Sequence, residues 1–175
     1  MNRILLLSVI IGTLFLAARV VCAGDAVPKV GEPAPLVSGT DQDGKEWKLA
    51  DLIGKKVVLL YFYPKDQTSG CTKEACGLRD RMGELNRQNV AVIGVSCDTV
   101  ESHQKFIAAQ KLNFSLIADP DAAITTTYGV KLPAVKMARR VSFLIGLDGK
   151  IIHVTDSGSA DTHLKEMGEA IAKLK

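Results

Sequence analysis

Tyr61-Phe62-Tyr63-Pro64-Lys65-Asp66-Gln67-Thr68-Ser69-Gly70-Cys71-Thr72-Lys73-Glu74-Ala75-Cys76 is the stretch whose reading decides the fold. It follows an apolar run that starts at Val57 and ends before Pro64, a residue that cannot continue a hydrogen-bonded ladder. A polar, Gly-containing loop comes next, and Lys73-Glu74-Ala75 opens a segment of strong helix formers. A strand, a loop and a helix are predicted in that order, with Cys71 in or beside the first helical turn. Unpaired N–H groups and the helix dipole stabilise an anion there, and a cysteine so placed favours its thiolate form.

Cys76 constrains the reading further. On one helix, five residues of separation give about 7.5 Å of rise and roughly 140° of rotation, so the two Cα atoms stand about 8 to 9 Å apart. A disulfide needs them within ~7 Å. On an intact helix the pair cannot bond. Either it never does, or it does so when the first turns unwind, which suits a catalytic cycle better than a scaffold.

Outward from this stretch, strands and helices alternate. Val57 to Phe62 is continuous enough to be buried on both faces of a sheet. Ala75, Leu78, Met82 and Leu85 carry the helix to about Gln88, and Val90 to Val95 is a second apolar strand. Thr99 is placed to cap a helix over Glu101 to Gln110, with Phe106 and Ile107 inward. A strand over Phe114 to Ala118, a short helix over Asp121 to Tyr128 and a loop over Leu132 to Met137 follow. Arg140 to Ile145 and Ile151 to Val154 flank Asp148-Gly149 as a hairpin. Ala160 to Leu174 closes the chain as an amphipathic helix. Upstream, a turn at Asp41 to Lys45 separates strands near Leu36 to Gly39 and Glu46 to Lys48, and Leu49 to Ile53 reads as a short helix. Trp47 is expected to pack near that hairpin. The class is α/β, a mixed central sheet flanked by helices, with an N-terminal β-hairpin extension.

Of the 175 residues, 1 to 23 have the layout of a secretory leader: Asn2-Arg3, an apolar run from Ile4 to Ala18, and the small residue Ala23. Cleavage after Ala23 is favoured, leaving one domain over residues 24 to 175. An uncleaved membrane anchor is the alternative. A lipid on Cys22 is disfavoured, because Arg19 and Val21 are bulky where a lipidation signal needs apolar and small residues. The leader holds two of the 22 basic residues, so 20 remain against 19 acids, a net charge of +1. That gives no basic face for nucleic acid. Export, to the periplasm in a bacterium, permits disulfides, and Cys71, Cys76 and Cys97 are an odd number.

Pro64-x-x-x-Thr68-x-x-Cys71 resembles the active-site signature of the peroxiredoxins. The longer YFYPKD-x-T-x-GCTKEAC-x-x-RD run is similar to their bacterioferritin comigratory protein (PrxQ) branch. The similarity runs from about Val27 and includes Gly94-Val95-Ser96-x-Asp98 and Arg140-x-Ser142-Phe143-Leu144-Ile145. One departure is Ser69, where the family usually has proline. That loosens the loop and removes no catalytic side chain.

The resemblance implies a thioredoxin-like fold and a thiol peroxidase. Cys71 would attack a peroxide oxygen and become a sulfenic acid. Thr68 would donate a hydroxyl to the reacting oxygens, against the plainer role of a helix N-cap. Arg140, on its own an ordinary solvated charge, falls at the family's catalytic arginine. Pro64 would shield the sulfur as well as end the strand. Cys76 would resolve the sulfenic acid as an intramolecular disulfide, against a plain buried thiol. Cys97 is read as a buried, inert thiol, with backup resolution as a distant second reading. The implied partners are a peroxide and a thioredoxin-like or glutaredoxin-like protein reductant, and the branch favours a monomer.

His103, His153 and His163 have no metal-binding spacing, and no phosphate loop or dinucleotide fingerprint occurs, so neither metal nor organic cofactor is expected. Two rival functions fit the cysteine spacing less well. An exported disulfide oxidoreductase would want C-x-x-C. A copper-binding module would want closer cysteines and a histidine beside the loop, where the sequence suggests none.

Overall fold

Every residue of the run Val57–Phe62 is buried, and the sheet is built around it. The computed structural model describes residues 26–174. The leader expected over residues 1–23, with Cys22, lies outside the described residues. In chain order the elements are β1 (Ser38–Asp41), β2 (Glu46–Lys48), a 3-10 turn (Leu49–Asp51), β3 (Val57–Phe62), α1 (Ser69–Arg87), β4 (Val90–Ser96), α2 (Val100–Gln110), β5 (Ser115–Ala118), α3 (Ala123–Thr127), β6 (Val141–Ile145), β7 (Ile151–Asp156) and α4 (Ala160–Ile171).

The strands form one mixed sheet in the order β2-β1-β5-β4-β3-β6-β7. β3, β4 and β5 run parallel, joined by α1 and α2 as crossovers, while β6 lies antiparallel to β3 and to β7. The upstream hairpin is no separate appendage. β1 pairs antiparallel with β5 through Thr40–Ala118 and Asp41–Ile117, which makes β2 the sheet's edge. This pairing also moves β1 two residues beyond its expected position, from Leu36–Gly39 to Ser38–Asp41. The helix expected over Leu49 to Ile53 shrinks to a three-residue 3-10 turn, with Gly54 just beyond it at φ +79. The remaining elements fall within a few residues of expectation.

Alternation along β3 divides its side chains between two cores. Leu59 and Tyr61 join Leu78, Met82 and Leu85 of α1, Phe106 of α2 and Met167 and Ile171 of α4 on one face. Val58, Leu60 and Phe62 join Ile124 of α3, Tyr128 and Phe143 on the other, with Trp47 packed alongside. Truncating a fully buried leucine such as Leu60 to alanine costs about 2 to 5 kcal/mol in such packing. Gly94 of β4 lies opposite Tyr61, and a β-carbon there would sit 2.8 Å from the tyrosine ring. The missing side chain makes room for Tyr61, which stacks on Tyr63 at 5.3 Å. That stack supports the strand end from which the loop departs.

Candidate active site

The antiparallel register places Val141 opposite Phe62, so the residue before β6 arrives beside the residues after β3. That residue is Arg140. α1 starts at the same end of the sheet, with Thr68 at its N-cap position and Cys71 third in the helix. The Thr72 N–H makes the first helical bond, to the Thr68 carbonyl at 2.8 Å. The N–H groups of Ser69, Gly70 and Cys71 precede it and have no partner within the helix. Gly70 suits this crowding, since a β-carbon there would lie 3.3 Å from Arg140 Nη2.

Cys71 is 1% exposed, and Arg140 Nη2 donates to its Sγ at 3.2 Å. The other guanidinium nitrogen, Nη1, donates to Glu74 Oε2, and Nε donates to the Gly158 carbonyl at 3.3 Å. Burial works against the Arg140 charge, but Glu74 and the Cys71 sulfur raise its affinity for the proton overall. Burial pushes the Glu74 carboxyl up, to about 7, against the pull of Arg140. Behind Glu74 stands His163 of α4, with Nδ1 3.6 Å from Glu74 Oε1. Its Nε2 donates to the Ser157 carbonyl at 2.9 Å, which leaves Nδ1 to accept from Ser142 Oγ at 2.7 Å. Burial and nearby Arg140 lower the His163 proton affinity. The sulfur thus faces a fixed cation and stands in the first turn of a helix whose leading N–H groups have no helical partner.

Pro64 is half-buried at the turn out of β3. Thr68 is exposed at the N-cap position, yet its side chain caps nothing; its hydroxyl donates to the Lys65 carbonyl at 3.0 Å. Neither the simple cap nor a hydroxyl proton aimed past the loop describes it here. Its oxygen lone pairs are what it has to offer. Cys76 lies on the same unbroken helix as Cys71, half-buried, with Sγ donating to Gln110 Oε1 at 3.6 Å. Cys97, expected to be buried, is only half-buried, 3.7 Å from Thr125 Oγ1, because it lies just past the end of β4, and that partial burial pushes its thiol up.

The expectation that no histidine stands beside the loop is overturned. His103 of α2, fully buried, brings Nδ1 to 2.9 Å from Asp66 Oδ2. Tyr63 OH donates to Asp66 Oδ1 and Ser102 Oγ to Oδ2, both at 2.7 Å. The histidine is recruited by a buried loop carboxylate, not by a cysteine. Sequence reasoning also passed over Glu74 and His163. A signal existed for all three. Glu74 shares the helical stripe of Cys71, Ala75 and Leu78; His103 precedes Phe106 by three residues; His163 precedes Met167 by four. Each is a titratable residue on an apolar face.

The geometry supports nucleophilic chemistry at Cys71 with charge stabilised by Arg140 and backbone N–H groups. The AhpC/TSA family model matches residues 30–154. Peroxiredoxin Bcp of Escherichia coli (strain K12) is 43% identical over 141 residues, 77% of this chain and 90% of that protein. A putative peroxiredoxin bcp of Coxiella burnetii is 40% identical over 145 residues, 79% of this chain and 95% of the other. Among solved structures, peroxidoxin BcpB of Mycobacterium tuberculosis superposes with a TM-score of 0.80 at 29% identity, over 85% of this chain and 99% of that one. The bacterioferritin comigratory protein of Xanthomonas campestris, studied for alkyl peroxide reduction, gives 0.76 at 28% identity, over 86% and 100% of the two chains.

Proposed function

The chain belongs to the AhpC/TSA family and is a peroxiredoxin of thioredoxin-like fold, a thiol-dependent peroxidase, and we propose that its cycle runs through Cys71 and Cys76. The Cys71 thiolate attacks one oxygen of ROOH. The O–O bond breaks, an S–O bond forms, and the departing alkoxide or hydroxide takes up a proton to leave as ROH or water. Cys71 is then a sulfenic acid. Arg140 stabilises the sulfur anion and the charge that develops on the leaving oxygen, with N–H groups of the α1 start beside it. Pro64 shapes the wall over the sulfur, and Thr68 orients the peroxide as acceptor of its O–H.

Cys76 then attacks the sulfenic sulfur, forming the disulfide and releasing water. A thioredoxin-type dithiol reduces that disulfide and restores both thiols; a glutaredoxin-like protein is the second candidate reductant. The observation that carries the assignment is the 3.2 Å contact from Arg140 Nη2 to Cys71 Sγ at a helix N-terminus. Hydrogen peroxide consumption with dithiothreitol tests it. Wild type should turn over and Cys71→Ser should not. Near wild-type turnover in Cys71→Ser would move the nucleophile elsewhere.

The layout of residues 1–23 supports export and action in an oxidising compartment as a single domain from residue 24. Mass spectrometry of the mature protein should place its N-terminus at Gly24; an intact leader would favour an anchor. Sedimentation should give a monomer of the mature mass, and a dimer would overturn that.

A further inference from the structure

We propose that Asp66 and His103 form a positioning pair for the peroxide step, fixing from behind the loop that carries Pro64 and Thr68 over Cys71. The inference rests on Cys71 being the peroxide-reactive residue. Asp66 lies two residues after Pro64 and two before Thr68, and its side chain points away from solvent, 5% exposed. Its two oxygens accept from Tyr63, Ser102 and His103, at 2.7, 2.7 and 2.9 Å. Its backbone N–H donates to Asp98 Oδ2 at 2.9 Å, and Ser96 Oγ at the end of β4 donates to that same oxygen at 2.7 Å. The loop is therefore bolted to α2 through a side chain and to β4 through the main chain.

A buried carboxylate is a costly way to fill space, and apolar residues of similar volume would be as stable or more so. Burial pushes the Asp66 carboxyl up, but the bonds from His103, Tyr63 and Ser102 outweigh it and hold the group below its ordinary range. What the arrangement supplies is direction. The need for it shows one residue on, where Gln67 sits at φ +61 in the left-handed region. A non-glycine residue persists there only when its surroundings over-determine the backbone. Gln67 is exposed and joins Asp66 to Thr68, so the turn is held by the Asp66 anchor together with the bond from the Thr68 hydroxyl to the Lys65 carbonyl.

None of these anchoring groups belongs to the part of α1 that must unwind for Cys76 to reach Cys71. Tyr63, Asp66, Ser96, Asp98, Ser102 and His103 all lie outside Ser69–Arg87. The anchor therefore stays made through the cycle and returns the loop to one geometry when the helix rewinds. Neither Asp66 nor His103 bonds to Cys71; both act through the loop.

Two reactions of Cys71 in the full chain separate positioning from general damage. Peroxide must be oriented by the loop, whereas iodoacetamide needs only a reachable thiolate. Asp66→Asn and His103→Leu should each lower the second-order rate with hydrogen peroxide by about tenfold or more, since small misplacements at a reacting centre reach a hundredfold. Alkylation of Cys71, read by mass spectrometry, should stay within about twofold. His103→Asn, whose amide N–H can stand near the ring Nδ1 position, should recover most of the peroxide rate. Unchanged peroxide rates, equal losses in both reactions, or equal rates for His103→Asn and His103→Leu would each overturn the proposal. The comparison of wild type with Cys71→Ser decides the underlying assignment separately, and the two substitutions at 103 decide the question if Asp66→Asn does not fold.

Discussion

Arg140 and Glu74 meet as a buried ion pair, 7% and 1% exposed, in which Nη1 is spent on the carboxylate and Nη2 is left for the Cys71 sulfur. The planar fork lets one residue hold its own anchor and a reactive sulfur at once. A lysine ammonium is a compact point charge and cannot span both positions.

Arg140→Lys should therefore lower the second-order rate of Cys71 oxidation by about 100-fold, the scale seen when a preorganised donor is removed. Circular dichroism should still report a folded protein, because the charge next to Glu74 is kept. Competition kinetics with a second peroxidase measures the rate; a value equal to wild type would detach Arg140 from the reaction.

Glu74 gives stability a pH dependence. Burial lifts its carboxyl from the ordinary 4.5 to about 7 in the folded protein. The folded state then binds a proton that the unfolded chain has released between those values. Its stability is accordingly highest below the unfolded value and falls as pH rises toward 7. Glu74→Gln cannot titrate, so its stability relative to wild type should improve by about 3 kcal/mol between pH 4 and 8. Urea denaturation of both proteins across that range cancels the titrations they share. A difference that is flat with pH would contradict the burial effect on Glu74.

The sequence carried the frame of this site but not its interior. β3, α1 and Cys71 were legible because a continuous apolar run, a proline and helix formers act locally. Arg140 was legible only through family likeness, since 69 residues separate it from Cys71 and its own surroundings look like a surface. Glu74 reads as a helix former in a charged segment; only the sheet register, which brings Arg140 to the α1 start, makes it a buried partner. Asp66 and His103 are 37 residues apart, and nothing local says that a loop carboxylate turns inward to meet α2. The strand shift in β1 has the same origin, because its register is set by β5, far along the chain.

Gln110 should govern how readily Cys76 leaves. It ends α2, its side-chain oxygen accepts from Cys76 Sγ at 3.6 Å, and its carbonyl accepts from Arg79 Nη1 at 2.5 Å. Gln110→Leu removes the first bond and keeps the second. A hydrogen bond of this kind contributes at most about 1 kcal/mol, so disulfide formation after one equivalent of peroxide should quicken about two- to fivefold. The peroxide step should not change. Rapid acid quench, alkylation and mass spectrometry follow both steps, and slower disulfide formation in the variant would contradict the role given to Gln110.

Cys71 and Cys76 share a continuous helix, Ser69–Arg87, and on it they stand about 8 to 9 Å apart, too far for a disulfide. The proposed cycle requires that they bond, so oxidation must open the helix between them. The opening has natural limits. Upstream, the Asp66 anchor holds the loop; downstream, Arg79 is tied to the Gln110 carbonyl, and Leu78, Met82 and Leu85 are buried against the sheet. Between them, Lys73 has only an exposed ion pair with Asp161, which contributes little, and the buried Glu74–Arg140 pair is the contact that opening has to break. Amides of residues 72 to 76 should be protected from hydrogen exchange in reduced protein and lose that protection on oxidation, while those of 78 to 85 keep it. Cys76→Ser should stay wound after peroxide treatment and hold Cys71 as a sulfenic acid, open to further oxidation. Cys97 is a poor substitute, since it sits against Thr125 of α3, whose Ile124 packs on the opposite face of the sheet from Cys71. A Cys71–Cys97 disulfide in oxidised wild type, with residues 72 to 76 still protected, would remove Cys76 from the cycle.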